Sequence, residues 1–116
     1  MHVSSVGAYA AQENASIYCA TKAAQIMLTK AMALELAVYG IRVNCIAPGD
    51  IKTETSADAI LHVMTSGASG RFLRNTPLAR RGNPEEVGRV IAFLASEDAS
   101  FVSGVTVVVD GGYLTY

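Results

Sequence analysis

The hydrophobic and polar positions divide the chain into five regular elements and one long irregular stretch. Met1 to Ser5 is a short β-branched run ending in two serines and reads as a strand, followed by a Gly/Ala-rich loop from Val6 to Ala15. Ser16 is placed to cap a helix running to about Tyr39, with Gly40 at the position after its end. Only Lys22, Lys30 and Glu35 carry charge within it. A helix apolar around most of its circumference is expected to be buried on more than one face. Ala20, Ala23, Ala24, Ala31 and Ala33 would let a partner helix approach closely. Ile41 to Ala47 is the second strand, with apolar residues around Val43 and Cys45 as in a buried parallel sheet, and Pro48-Gly49 ends it.

From Asp50 to Gly82 the pattern loosens into Thr, Ser, Asp and Gly around one short helix, Ala57 to Met64. A long irregular segment after a strand's carboxyl end is expected to cover a site as a lid. Asn83-Pro84-Glu85-Glu86 announces the next helix, with Asn as cap, Pro at the first position and Glu at the third closing a capping box. That helix runs to about Ser96 with Val87, Val90, Ile91 and Leu94 on one face. Val105 to Val109 is the last strand and Asp110-Gly111-Gly112 its turn. Strand–helix–strand–helix–strand implies a parallel three-stranded unit of an open α/β sheet.

Composition narrows the class. The 116 residues allow one domain at most. Apolar residues make up 51% and charged residues 16%, a balance that suits a piece packed against more protein. A net charge of −1, with only Arg80-Arg81 adjacent among the basic residues, gives no case for nucleic acid or an anionic membrane. No apolar run approaches membrane-spanning length, and the N-terminus lacks the pattern of a signal peptide. Cys19 and Cys45, His2 and His62 match no metal-ligand spacing, so no metal site is expected, and reduced thiols point to the cytoplasm. Arg80-Arg81 reads as a solvated pair, and Glu85-Glu86 as complements to the helix dipole.

The chemistry lies near the N-terminus. Tyr18 and Lys22 are four residues apart, so on a helix both project from one face. A phenol ionises near ~10 and is a poor acid–base group at neutral pH, but a neighbouring ammonium favours the phenolate. Ser5, at the end of the preceding strand, could hydrogen-bond a substrate carbonyl and hold it against the tyrosine, with Ser4 a spectator. Tyr-x-x-x-Lys alone is a weak signal, since the pair recurs by chance on many helices.

Its surroundings resemble the short-chain dehydrogenase/reductase family. Ser5 stands thirteen residues before Tyr18, the family's usual separation of catalytic serine and tyrosine. Tyr18-Cys19-Ala20-Thr21-Lys22-Ala23-Ala24 is similar to its active-site helix, and Ile41-Arg42-Val43-Asn44-Cys45-Ile46-Ala47-Pro48-Gly49 to its sixth strand and cofactor loop. Arg81-Gly82-Asn83-Pro84-Glu85-Glu86-Val87, Phe93-Leu94-Ala95-Ser96 and Val109-Asp110-Gly111-Gly112 resemble its last helix and strand.

The resemblance implies the C-terminal part of a doubly wound Rossmann-like α/β sheet, three parallel strands plus helices, with a substrate lid over about residues 50–82. It implies hydride exchange between NAD or NADP and a small alcohol or carbonyl substrate, with Ser5, Tyr18 and Lys22 catalytic. Tyr18 and Lys22 would also meet the cofactor. Pro48 and Gly49 would lie beside the nicotinamide, Ile51 offering backbone groups and Thr53 its hydroxyl to the carboxamide. A homo-oligomer built on the helix over about 16–39 is a further implication, with Asp110-Gly111-Gly112 a turn near the substrate loop and a subunit contact.

One departure matters. The family binds its dinucleotide on a glycine-rich turn, and no Gly-x-x-x-Gly-x-Gly or Gly-x-Gly-x-x-Gly occurs here. On this reading the N-terminal dinucleotide-binding half is missing, Met1 is an internal methionine or a mis-assigned start, and the chain is inactive alone. A non-catalytic interaction fragment associating through its apolar helix, or a fragment without function, are the alternatives.

Overall fold

The structure, a computed structural model, describes residues 1–53 and 76–115. The short helix expected over 57–64, most of the expected lid and His62 lie outside the described residues. Three strands, β1 (His2–Val3), β2 (Cys45–Pro48) and β3 (Thr106–Val109), form one parallel sheet in the order β1-β2-β3. His2 pairs with Cys45, and Cys45 in turn with Thr106, so the strands run level from their first residues. Two helices connect them, α1 (Ser16–Leu36) and α2 (Pro84–Ala95). Cys45, Ile46 and Ala47 are fully enclosed with Val6, Val43, Leu94 and Ala99 around them. That unbroken apolar run is what a central parallel strand covered on both faces requires.

β2 begins later than the Ile41 to Ala47 expectation, because side chains substitute for the ladder before Cys45. The Val43 N–H donates to Ser103 Oγ, while Asn44 donates through Nδ2 to the Val102 carbonyl and accepts from the Val105 N–H at Oδ1. The Val105 N–H is thereby diverted, although its carbonyl still accepts from the Cys45 N–H, and β3 starts at Thr106. Arg42 reaches across the same end of the sheet, donating to the carbonyls of Leu94, Ser96 and Val102 and so capping the C-terminus of α2.

The α1 start is also corrected. Ser16 is the first helical residue, and Ala15 is the cap position with no side-chain bond, because the Cys19 N–H closes the first turn on the Ala15 carbonyl. The helix proper stops at Leu36, one 3-10 turn continues to Tyr39, and Gly40 takes the left-handed conformation at φ 69°. Thr29 anchors α1 on β1: its hydroxyl donates to the Gln25 carbonyl and meets His2 Nδ1 at 2.8 Å. Burial on more than one face is not what the chain shows. Thr29 alone is fully buried in α1, while Ile17 and Leu34 are each 79% exposed. The apolar residues of α1 outnumber what a three-stranded sheet can cover.

The start of α2 is as the sequence implies. Pro84 opens it, Asn83 caps it, and the Asn83 N–H donates back to Glu86 Oε2 at 2.8 Å. Leu94 is buried and Val87, Val90 and Ile91 are half-buried along the same face.

Candidate active site at the carboxyl edge of the sheet

All three strands deliver their carboxyl ends to one edge, the side on which open α/β sheets bind ligands. β1 hands over to Ser4 and Ser5 there, and the Ser4 N–H extends the ladder to the Ile46 carbonyl at 2.7 Å. Ser5 is still extended, and the register continued past Val3 and Ile46 would set it beside Pro48. The end of the candidate catalytic strand and the start of the expected cofactor loop therefore emerge side by side.

Ser5 is buried, and its Oγ accepts from the Gly7 N–H at 3.1 Å, capping a single 3-10 turn over Val6–Ala8. Capping occupies an acceptor position and leaves the hydroxyl proton to donate. Gly7 lies beside both the serine and the tyrosine. A Cβ on Gly7 would lie 3.2 Å from Tyr18 Cε1 and 3.5 Å from both Ser5 Oγ and Gln12 Cδ, so a side chain there would crowd all three.

Tyr18 stands in the first turn of α1 and is 44% exposed at this edge, reachable by a ligand. Lys22, one turn on, holds its ammonium 5.6 Å from the Tyr18 ring centroid, within the range of a cation–π contact. Its Nζ donates to the Val3 carbonyl at 3.0 Å, which directs the side chain along the end of β1. An ammonium has three donors, so this bond leaves two directions for a ligand.

Ser4 is more than a spectator. Its buried hydroxyl donates to the Lys22 carbonyl at 2.7 Å, tying the helix backbone to the strand exactly one residue before Ser5. Together with the Val3 bond it fixes Lys22 by main chain and side chain alike. The separation from Tyr18 set Ser5 apart from Ser4 in the sequence, but nothing there showed the backbone group that the Ser4 hydroxyl meets.

On the second strand, Pro48 and Gly49 are half-buried, Ile51 likewise, and Thr53 is exposed. Gly49 is dictated by contact: a Cβ there would meet Asp110 Cα and Cβ at 2.7 Å, because the turn after β3 presses against it. Asp110 holds that turn by accepting the Gly112 and Leu114 N–H groups, each at 2.9 Å. Asp50, to which the sequence assigned no role, accepts from Arg81 Nε at 2.9 Å. Arg80 is exposed, as expected from sequence, but both arginines hold ion pairs. Arg81 engages Asp50, and Arg80 grips both oxygens of Glu86 at 2.7 and 2.8 Å. The Arg80 hydrogen bond, with the Asn83 N–H adding to it, pulls the Glu86 carboxyl from its ordinary 4.5 down to about 2. A cavity of about 120 Å³ lies between these segments, among Asp50, Ile51, Leu78, Arg80, Val109 and Asp110.

No group of three or more His, Cys, Asp or Glu side chains gathers as a metal site among the described residues, and no described helix is long and apolar enough to cross a membrane. The family model described as enoyl-(acyl carrier protein) reductase matches residues 1–114. The chain is 41% identical over its full length to the 3-oxoacyl-(acyl-carrier-protein) reductase of Chlamydia pneumoniae, covering 44% of that protein. Among solved structures, it aligns over 98% of its length with a 4-hydroxyisoleucine dehydrogenase complexed with NADH and succinate, at 36% identity and TM-score 0.81, covering 45% of that chain. It aligns equally far with YwfH, an NADPH-dependent reductase of bacilysin biosynthesis, at 30% identity and TM-score 0.87, covering 46% of that chain. The chain thus spans less than half the length of the relatives it matches.

Proposed function

The chain belongs to the short-chain dehydrogenase/reductase family, with its Rossmann-like α/β fold, and we propose that it carries the proton-transfer site of an oxidoreductase interconverting an alcohol and a ketone or aldehyde. The observation that supports the reading is that Lys22 stands over the Tyr18 ring and donates to the Val3 carbonyl at the end of β1, with Gly7 packed beside both Tyr18 and Ser5.

Each residue has a task in this reading. In the reducing direction the Tyr18 hydroxyl gives its proton to the substrate oxygen, and in the oxidising direction it takes the proton back. Ser5 donates to the same oxygen, orienting it and stabilising the charge that develops there. Lys22 sets its positive charge beside the ring, where it opposes the negative charge left on the phenol. Its remaining donors suit the hydroxyls of a nicotinamide ribose. Pro48, Gly49, the Ile51 backbone and the Thr53 hydroxyl would hold the nicotinamide end of NAD or NADP, which supplies or accepts the hydride when bound. A carboxamide needs both donors and acceptors, and the Thr53 hydroxyl with the main chain of this loop would offer both.

The dinucleotide's adenine and pyrophosphate would be held by a part that this sequence does not include, so the chain by itself is expected to be inactive. A homo-oligomer associating through α1, in the cytoplasm, completes the proposal. The exposed apolar residues of α1 and the two free thiols support it.

The test follows nicotinamide absorbance with simple ketones and aldehydes, using the polypeptide expressed from its complete reading frame. Turnover with NADH or NADPH is expected, and Lys22→Ala should lower kcat and raise the cofactor KM together. A Lys22→Ala variant with wild-type values of both would contradict the assignment.

A further inference from the structure

The stretch that begins at Pro48 is fixed at its far end by a residue the functional reading does not use. Asp50, Ile51 and Lys52 run beside Gly82 in a one-residue parallel bridge. The Gly82 N–H donates to the Asp50 carbonyl at 3.0 Å, and the Lys52 N–H to the Gly82 carbonyl at 2.9 Å. Arg81 closes the same stretch with its side chain. Its Nε and Nη2 reach Asp50 Oδ1 at 2.9 and 2.8 Å, and Nη2 also donates to the Ile51 carbonyl at 2.8 Å.

The peptide between Ile51 and Lys52 is thus held at both polar ends, its oxygen by Arg81 and its N–H by Gly82. A single bond would let that plane rock about its flanking Cα atoms, whereas bonds at opposite ends resist the rotation. The Arg81 and Asp50 side chains retain 25% and 33% exposure, so the pair is less screened than one at the open surface. Its neighbour Arg80 grips Glu86 and also donates to the Arg81 carbonyl at 3.2 Å, on the far side of the bridge from Ile51.

We propose that Arg81 is a positioning residue for cofactor binding: by fixing the Ile51–Lys52 peptide it sets the direction of the backbone groups met by the nicotinamide end, without touching the cofactor. The inference rests on the functional reading, in which the loop from Pro48 to Thr53 lies beside the nicotinamide. A guanidinium suits the task because its rigid fork can hold a carboxylate and a carbonyl at once. A lysine ammonium is a flexible point charge and would restore only part of the effect.

Arg81→Ala, Arg81→Lys and Asp50→Asn, made in the polypeptide expressed from its complete reading frame, separate this role from a structural one. Calorimetry compares NAD(P)H with ADP-ribose, or its 2′-phosphate for NADPH, which lacks the nicotinamide. Arg81→Ala should weaken NAD(P)H binding roughly tenfold, the loss of charge-assisted bonds, while ADP-ribose binding stays at the wild-type value. Arg81→Lys and Asp50→Asn should fall between, and deuterium exchange at the Lys52 amide should accelerate in the same order. Unchanged NAD(P)H affinity in Arg81→Ala overturns the inference, as does equal weakening of both ligands, which marks a merely structural role. Should Arg81→Ala fail to fold, Arg81→Lys and Asp50→Asn carry the same comparison. If Tyr18→Phe abolishes turnover while the Arg81 and Asp50 variants bind as wild type, the positioning role fails alone. If the wild-type protein binds no NAD(P)H, the functional reading fails and the inference with it.

Discussion

Ser4 and Ser5 are neighbours that differ in where their hydroxyls go. Ser4 donates to the Lys22 carbonyl, and Ser5 accepts from Gly7 with its proton left over. Ser4→Ala should therefore cost about 1 kcal/mol of stability, the net worth of one buried hydrogen bond, measurable as a lower denaturant midpoint. Ser5→Ala should act chiefly on turnover. Equal midpoints for Ser4→Ala and wild type would deny the hydroxyl its structural part. Tyr18 and Lys22 were legible in the sequence because a spacing of four on a helix fixes their shared face. Ser5 became legible only through its separation from Tyr18 and the motifs around it. Ser4 and Gly7 were not legible, since the carbonyl and ring they serve lie on another element. The Arg81–Asp50 pair, 31 residues apart, was hidden for the same reason.

Among the elements, α2 was the most readable, since the signals that start it are local. Asn83, Pro84 and Glu86 act within one turn, and the capping box forms as their order implies. Its pH dependence follows from the low value of the Glu86 carboxyl. A group depressed on folding adds stability above its unfolded value and loses it as pH falls. The helix should therefore weaken between 4.5 and about 2, as protonation removes the acceptor for Arg80 and Asn83. Thermal midpoints over that range should fall more steeply for wild type than for Glu86→Gln, and parallel curves would contradict the claim. The edges of β2 and β3 were less readable, because Asn44 and Ser103 replace ladder bonds with side-chain bonds across the sheet. At the other end of β2, Gly49→Ala should destabilise by about 1–3 kcal/mol, since the new methyl meets Asp110 main-chain and Cβ atoms that cannot swing aside. A wild-type denaturant midpoint for that variant would show that the two turns are not in close contact.

For the molecule as a whole, the three-stranded parallel sheet was legible from the order of elements, but the covering of α1 was not. Ile17 and Leu34, each 79% exposed, and Val38 in the 3-10 turn that follows it, at 80%, face outward in the described structure. β1 pairs only with β2 among the described residues, leaving its other edge open. Exposed apolar faces and open strand edges promote association, so the 116-residue chain should self-associate at tens of micromolar in sedimentation experiments. A stable monomer there would contradict this. The central claim is that Tyr18 exchanges the substrate's hydroxyl proton, and turnover of Tyr18→Phe in the polypeptide from the complete reading frame tests it most directly. The substitution keeps the ring and removes the hydroxyl that carries the exchangeable proton. Turnover should fall by about 10²–10⁴-fold while NAD(P)H affinity, measured on the same preparation, stays nearly intact. A Tyr18→Phe protein that kept most of the wild-type rate would show that the proton travels by another route.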